Sequence, residues 1–344
     1  MVYLYSSLFY YYLGIFKKLS LAKCLNYLKL LFGFYYSRVI GKPKQFGMPV
    51  YISIEPTTSC NLRCPQCPSG LREFSRPTGM LQTEMFHNTI NQLSKHLHSL
   101  TFYFQGEPYL NPSFLNMVEQ ANAKGIYTIT STNAHYMSAE NARKTVESGL
   151  DKLIISVDGT TQEVYEQYRK GGQLEKVIEG TKEILKQKRL LKSRSPYVIW
   201  QFVVFKPNQH QVNEVKRMGK DLGVDEVKIK TAQIYDFENG NELIPDINRY
   251  SRYQKNEEGN YRIKNKLLNQ CWRMWQGCVV TWDGKIVPCC FDKDAKHTLG
   301  NLEKESFKTI WHSESYNHFR RSILKSRDQV DICTNCTEGT QVWS

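Results

Sequence analysis

The stretch Ile52-Ser53-Ile54-Glu55-Pro56-Thr57-Thr58-Ser59-Cys60-Asn61-Leu62-Arg63-Cys64-Pro65-Gln66-Cys67 decides how this chain is read. A short apolar β-type run ends at an acid and a proline, and three cysteines follow at x3 and x2 spacing. Spacing this close lets one loop wrap a cube of iron and sulfide with three thiolates. No fourth cysteine or histidine stands nearby, and an incomplete ligand set leaves a position open for a substrate or cofactor. Zinc fits less well, because structural zinc sites pair two knuckles and close a shell of four ligands. A disulfide would strand one of the three cysteines.

Outward from this loop, short β-rich runs alternate with helical stretches. Strands are expected at 50–54, 101–104, 128–132, 153–157, 198–204 and 226–229, and helices at 84–98, 112–124, 139–148, 174–188 and 212–222. Such alternation builds a parallel sheet with helices outside it. The fold class expected is therefore α/β, a partial (β/α)6 TIM-like barrel short of the full eight units, with its chemistry on the loops that follow the strands. Three zones result: a basic, apolar, helical extension over 1–47, a barrel core over 48–240, and a linker plus cysteine-rich domain over 241–344. Residues 236–270 are polar and mixed in charge and read as the linker.

In this setting Cys60, Cys64 and Cys67 resemble the signature of the radical S-adenosylmethionine (SAM) superfamily. Gln66 departs from it, since the family often has an aromatic residue before the third cysteine. Gly106-Glu107-Pro108, after the second strand, resembles the family's Gly-Gly-Glu-Pro motif, with Gln105 replacing the first glycine. The family holds the SAM amino group with this loop, where a carboxylate or carbonyl accepts charge-assisted hydrogen bonds from an ammonium. Ser131 and Asn133 end the third strand, and Ser156 and Asp158 the fourth. The resemblance assigns these to the carboxylate, ribose and methionine parts of SAM. It implies a 4Fe–4S cluster on the three cysteines and SAM at its open iron. It also implies reductive cleavage of SAM to a 5′-deoxyadenosyl radical that takes hydrogen from an unidentified substrate. Lys228 and Lys230 alternate on the sixth strand and read either as cavity lining or as solvated edge lysines.

Six further cysteines, Cys271, Cys278, Cys289, Cys290, Cys333 and Cys336, fall in the last zone. Asp283-Gly284 between two β-branched runs signals a hairpin, with Cys271 before it, Cys289 after it, and a later Cys333-x2-Cys336. Four thiolates complete a 4Fe–4S shell, and they suit zinc as well. The arrangement resembles the SPASM/twitch extension of radical SAM enzymes, a β-hairpin plus helix. Gly284-x4-Cys289, Leu299-Gly300-Asn301-Leu302, Ile310-Trp311 and Arg320 add to the likeness. It implies one auxiliary 4Fe–4S cluster on Cys271, Cys289, Cys333 and Cys336. Cys278 and Cys290 are left over, and Cys290 is an alternative to Cys289 because adjacent strand residues face opposite ways. Cys24 reads as a buried small apolar residue.

The 344 residues carry a net charge of +13, and 1–47 hold seven lysines or arginines with no acid before Glu55. One reading packs this segment on the body with its lysines in water; another lays it on an anionic membrane surface, near a lipid-linked substrate. The apolar runs lack a signal-peptide pattern and are too short to span a bilayer. A cytoplasmic location is therefore expected, where thiols stay reduced, with a peripheral contact at the inner membrane face as an addition. Nucleic acid is disfavoured, since no RNA-binding module is recognisable. Small-molecule or lipid-linked substrates are favoured over peptides, because 1–47 is too short and apolar for the leader-binding domain of many peptide maturases. An electron donor such as flavodoxin or ferredoxin is expected as a partner. Peptide maturation, and a non-catalytic metal-binding or membrane-associated protein, are the alternatives.

Overall fold

A computed structural model describes residues 12–338. Six parallel strands run in chain order through one sheet: β1 (Tyr51–Ile54), β2 (Ser99–Phe102), β3 (Tyr127–Thr132), β4 (Lys152–Ser156), β5 (Tyr197–Val204) and β6 (Glu226–Thr231). Each lies within two residues of its expected start. Their alternation has a clear physical split. On β4 and β5, Leu153, Ile155, Trp200 and Phe202 are fully buried against the outer helices, while Lys152, Ile154 and Gln201 are half-buried toward the lumen. Trp200 places its Nε1 on Thr181 Oγ1 of the helix Leu174–Leu190 at 3.0 Å, so even the largest side chain of the outer face has its polar atom satisfied.

The helix expected over 84–98 ends at Leu93. Leu97 N–H still bonds Leu93 carbonyl, but His98 N–H bonds Val50 carbonyl, so the chain has already turned into the sheet. The helix Gln162–Tyr168 was not expected; Thr161 caps it by accepting from Val164 N–H.

The hairpin of the last zone continues the barrel sheet. After the small pair β7 (Tyr253–Lys255) and β8 (Tyr261–Ile263), strand β9 (Gly277–Val280) pairs in parallel with the free edge of β1, matching Ile52 with Cys278. β10 (Lys285–Val287) and β11 (Gly300–Asn301) follow antiparallel. At the junction Gly277 is required: a Cβ there would meet Tyr51 carbonyl oxygen at 2.0 Å. Residues 236–270 are therefore more than a polar linker. They carry the β7–β8 hairpin and, with Ile234, a small core of Phe237, Leu243, Ile244 and Tyr253.

The N-terminal helix Leu21–Ile40 begins on a Ser20 cap and ends at Gly41, in the left-handed region at φ 64°. It lies across the N-terminal ends of the strands. Lys23 Nζ donates to Gly125 carbonyl at 2.6 Å, and Asn26 exchanges two hydrogen bonds with the Met48 backbone. Phe34 packs edge-on against Trp272 and Trp275, each with ring centroids 5.4 Å away. Lys18 and Lys23 are thus tied to the body rather than left in water. Cys24, expected to be buried, is exposed. Arg320 is fully buried between the rings of Trp311 and Tyr316, 4.5 and 4.0 Å from their centroids, and donates to the carbonyls of Met274 and Trp311. No described helix is long and apolar enough to cross a membrane.

Candidate active site and auxiliary cysteine site

The loop that leaves β1 carries Cys60, Cys64 and Cys67 at the C-terminal end of the sheet. Burial pushes the Cys60 thiol up to about 12 and raises Cys64, and the three sulfurs interact electrostatically. Burial keeps such a thiol neutral until a cation takes its charge, a property these cysteines share with the core cysteine Cys278, so position in the loop rather than the shift marks them as candidate ligands. Weak donors already surround the sulfurs. Leu62 N–H approaches Cys60 at 3.5 Å, Asn133 Nδ2 approaches it at 3.9 Å, and Arg169 Nη1 approaches Cys64 at 3.8 Å. Such hydrogen bonds tune a cluster's potential.

The loop after β2 is locked onto the cysteine loop. Gly106 N–H donates to Ser69 Oγ at 2.9 Å and Glu107 N–H to Ser59 carbonyl at 2.8 Å. Gly106 sits at φ 74°, and a Cβ there would meet Thr57 carbonyl oxygen at 2.2 Å. Glu107 is buried, and its carboxylate accepts from Thr132 Oγ1 at 2.7 Å and from Asn133 N–H at 2.8 Å. Burial pushes its carboxyl up to about 7 against these bonds. The carboxylate thus braces the loop after β3, and the Glu107 and Pro108 carbonyls are taken by Leu110 and Asn111 N–H. Pro108 follows in a short 3₁₀ turn capped by Glu107.

Ser131 faces the lumen from β3, half-buried, and Asn133 lies just beyond, its Nδ2 on Asn61 Oδ1 at 2.8 Å. Ser156 ends β4, paired with Gln201. Asp158 is fully buried and committed within the protein: it accepts from Arg169 Nε at 2.6 Å and Val203 N–H at 2.8 Å. Arg169, not singled out from the sequence, therefore links Asp158 to Cys64. It lies just past the unexpected helix, and no local pattern marks it. Gln66 holds the loop after β6, accepting from Tyr235 N–H at 3.0 Å. Gln105 Oε1 stands 3.7 Å from Cys67 Sγ.

Cys271 precedes β9, and β10 runs back so that Cys289 returns to the same end of the sheet. Cys333 and Cys336 come from the C-terminal turn Asp331–Thr334 and its exit. Burial raises the thiols of Cys271, Cys289 and Cys333, the last to about 12. Cys289 interacts with Cys290 first and then with Cys271 and Cys333, while Cys290, whose residue is exposed, interacts with Arg273, Lys293, Glu338 and Cys336. Arg327, fully buried, donates to Cys336 Sγ at 3.3 Å. Cys278 points elsewhere, into the core beside Tyr316 and Arg320. Cys271 and Cys289 thus lie toward the end of the β1–β9 ladder opposite the Cys60 loop, and among the described residues the cysteines are not drawn into a formed metal-binding group.

Against known families, residues 54–195 match the radical SAM superfamily, and residues 271–337 match the SPASM iron–sulfur cluster-binding domain. The chain belongs to the radical SAM superfamily. It is a SPASM-type enzyme of that superfamily, with a 4Fe–4S cluster and SAM in the barrel and further iron–sulfur binding in its C-terminal domain. The tungsten-containing aldehyde ferredoxin oxidoreductase cofactor-modifying protein of Pyrococcus furiosus is 25% identical, covering 83% of this chain and 87% of its own. The PqqA peptide cyclase of Bradyrhizobium diazoefficiens is 24% identical, covering 80% and 76%. The solved structure of BtrN in complex with AdoMet and 2-DOIA shares the fold with a TM-score of 0.52 and 17% identity, covering 86% of this chain and 95% of that one.

Proposed function

We propose that this radical SAM enzyme is an oxidoreductase acting on a small molecule in the barrel lumen. The reading rests on one observation: the loop with Cys60, Cys64 and Cys67 leaves the C-terminal end of β1, while Cys271 and Cys289 flank the β9–β10 hairpin at the opposite end of the β1–β9 ladder. Cys60, Cys64 and Cys67 would hold the catalytic cluster, and Cys271, Cys289, Cys333 and Cys336 a single auxiliary 4Fe–4S cluster. When bound, these groups and SAM supply a 5′-deoxyadenosyl radical for hydrogen abstraction and an acceptor for the electron left on the substrate.

The chain's own residues have distinct tasks in this reading. Gly106 and Pro108 shape the loop that offers carbonyls to the SAM ammonium, and Glu107 holds that loop against Thr132 and Asn133. Ser131, Asn133 and Ser156 line the SAM side of the lumen, while Asp158 positions Arg169. Lys228 and Lys230 lie on the lumen side of β6, since Val227 between them and the outer helix packs on Gly219. Neither lysine makes an ion pair among the described residues, so a substrate group that meets them is anionic. A flavodoxin- or ferredoxin-type donor in the cytoplasm supplies the reducing electron.

Peptide modification is the second reading, and the 24% likeness to a peptide cyclase is what favours it. The primary test is anaerobic reconstitution followed by reduction with dithionite and addition of SAM. Formation of 5′-deoxyadenosine is the expected result. Its absence with both sites loaded would overturn the proposal.

A further inference from the structure

The N-terminal helix is apolar on two opposite sides, and only one of them is used. Leu30 and Phe34 are buried against the body together with Lys23, Asn26, Gly33 and Ser37. Leu21, Leu25, Leu28, Phe32, Tyr36 and Val39 are instead exposed, at 75, 51, 59, 62, 41 and 84%. At ~100° per residue these six fall within an arc of about 80°, opposite the buried set. Phe32 stacks on Tyr36 with centroids 5.6 Å apart and planes 9° apart, and Phe46 adds a third ring 5.5 Å from Phe32. A continuous row of large apolar side chains on a helix surface marks an interaction face rather than the scattered exposure of an ordinary surface.

Charge identifies the partner. Lys29 borders this face on the helix, Lys17, Lys42 and Lys44 are exposed just beyond the helix ends, and no acid occurs before Glu55; Arg38 lies on the other flank, over the Phe34 ring. We propose that the helix Leu21–Ile40 docks the enzyme on an anionic bilayer surface, lying in the plane of the headgroups with its second apolar face in the acyl boundary. Two copies packed stripe to stripe would set these cations against one another, which disfavours self-association through this face. The helix spans the N-terminal ends of the strands, held to Gly125, Ile126 and Met48, whereas the Cys60 loop leaves the C-terminal end. Docking there keeps the open cysteine set turned away from the lipid, so the contact locates the enzyme rather than feeding lipid to its first cluster. The inference is independent of the reaction proposed above.

The test uses the full-length, reconstituted protein in flotation with phosphatidylcholine vesicles, with and without phosphatidylglycerol. Leu28→Ser/Phe32→Ser/Val39→Ser removes exposed apolar groups only, and Lys42→Glu/Lys44→Glu reverses nearby charge. The expected result is flotation with the anionic vesicles that weakens with salt and falls about tenfold in each variant, with iron content unchanged. Iron content, rather than turnover, controls for folding, so a failed reaction assay leaves this result readable. Three outcomes would overturn the proposal: no flotation at low salt, flotation indifferent to both variants, or a dimer without lipid that the apolar variant dissociates.

Discussion

Glu55 and Arg76 form a buried, two-pronged ion pair, with nitrogen–oxygen distances of 2.6 and 2.9 Å, at the root of the cysteine loop. The same carboxylate accepts from Trp282 N–H at 3.3 Å, and Arg76 Nε donates to Lys293 carbonyl at 3.2 Å. One pair therefore ties the β1 exit, the cysteine loop and the auxiliary hairpin together. Removing one partner of a buried pair strands the other charge. Arg76→Ala is expected to cost roughly 3–5 kcal/mol in urea unfolding. A cost under about 1 kcal/mol would mean that the pair is dispensable.

The two cysteine sets are separable by iron analysis. Cys60→Ser is expected to lose about four of about eight irons and all SAM cleavage. Cys289→Ser should lose a similar number yet still produce 5′-deoxyadenosine without substrate. Cys278→Ser should keep its full iron content, because this side chain lies in the core beside Tyr316 and Arg320. Loss of iron in Cys278→Ser but not in Cys289→Ser would reassign the auxiliary ligands.

Gly106→Ala tests the loop lock. The added Cβ collides with Thr57 carbonyl oxygen at 2.2 Å, and the φ of 74° is itself unfavourable for alanine. Strain of at least about 1–3 kcal/mol is expected, with weakened SAM binding in equilibrium dialysis while three-cysteine iron loading persists. Unchanged SAM affinity would remove this loop from the binding site.

Glu107 predicts a pH dependence. Burial raises its folded-state pKa from 4.5 to about 7, so the folded apoprotein holds this proton more tightly than the unfolded chain. The group's contribution is fully present below the unfolded pKa and is lost as pH rises through about 7. Chemical unfolding between about pH 5 and pH 8 should show a loss of up to about 3 kcal/mol from this group, and Glu107→Gln should flatten it. An identical slope in the variant would assign the dependence elsewhere.

Lys228→Gln/Lys230→Gln should leave SAM cleavage without substrate intact, while raising KM for an anionic substrate by about tenfold or more. No change in KM would return these residues to the role of solvated edge lysines.

The three-cysteine loop, the hairpin, the Cys333-x2-Cys336 pair and the βα alternation were all legible because each depends on neighbours a few residues apart. The residues proposed for the SAM site could be named from the sequence only as positions at strand ends. That Glu107 spends its carboxylate on Thr132 and Asn133, and Asp158 its own on Arg169 and Val203, emerges only when separate strands are side by side. The boundary of the 84–98 helix was missed because Val50 competes for His98 N–H, a partner remote in sequence.

By itself the sequence determined the chemistry on offer: sulfur ligands at cluster spacing, strands of period two, and a basic, acid-free N-terminal segment. The tertiary structure alone decided what these meet. It attached β9 to the edge of β1, separated Cys289 from Cys278, and buried one apolar face of the helix Leu21–Ile40 while leaving the other in solvent. Spacing constrains groups within one turn or loop, whereas pairing across the chain follows from which apolar faces and hydrogen-bonding edges can be covered together.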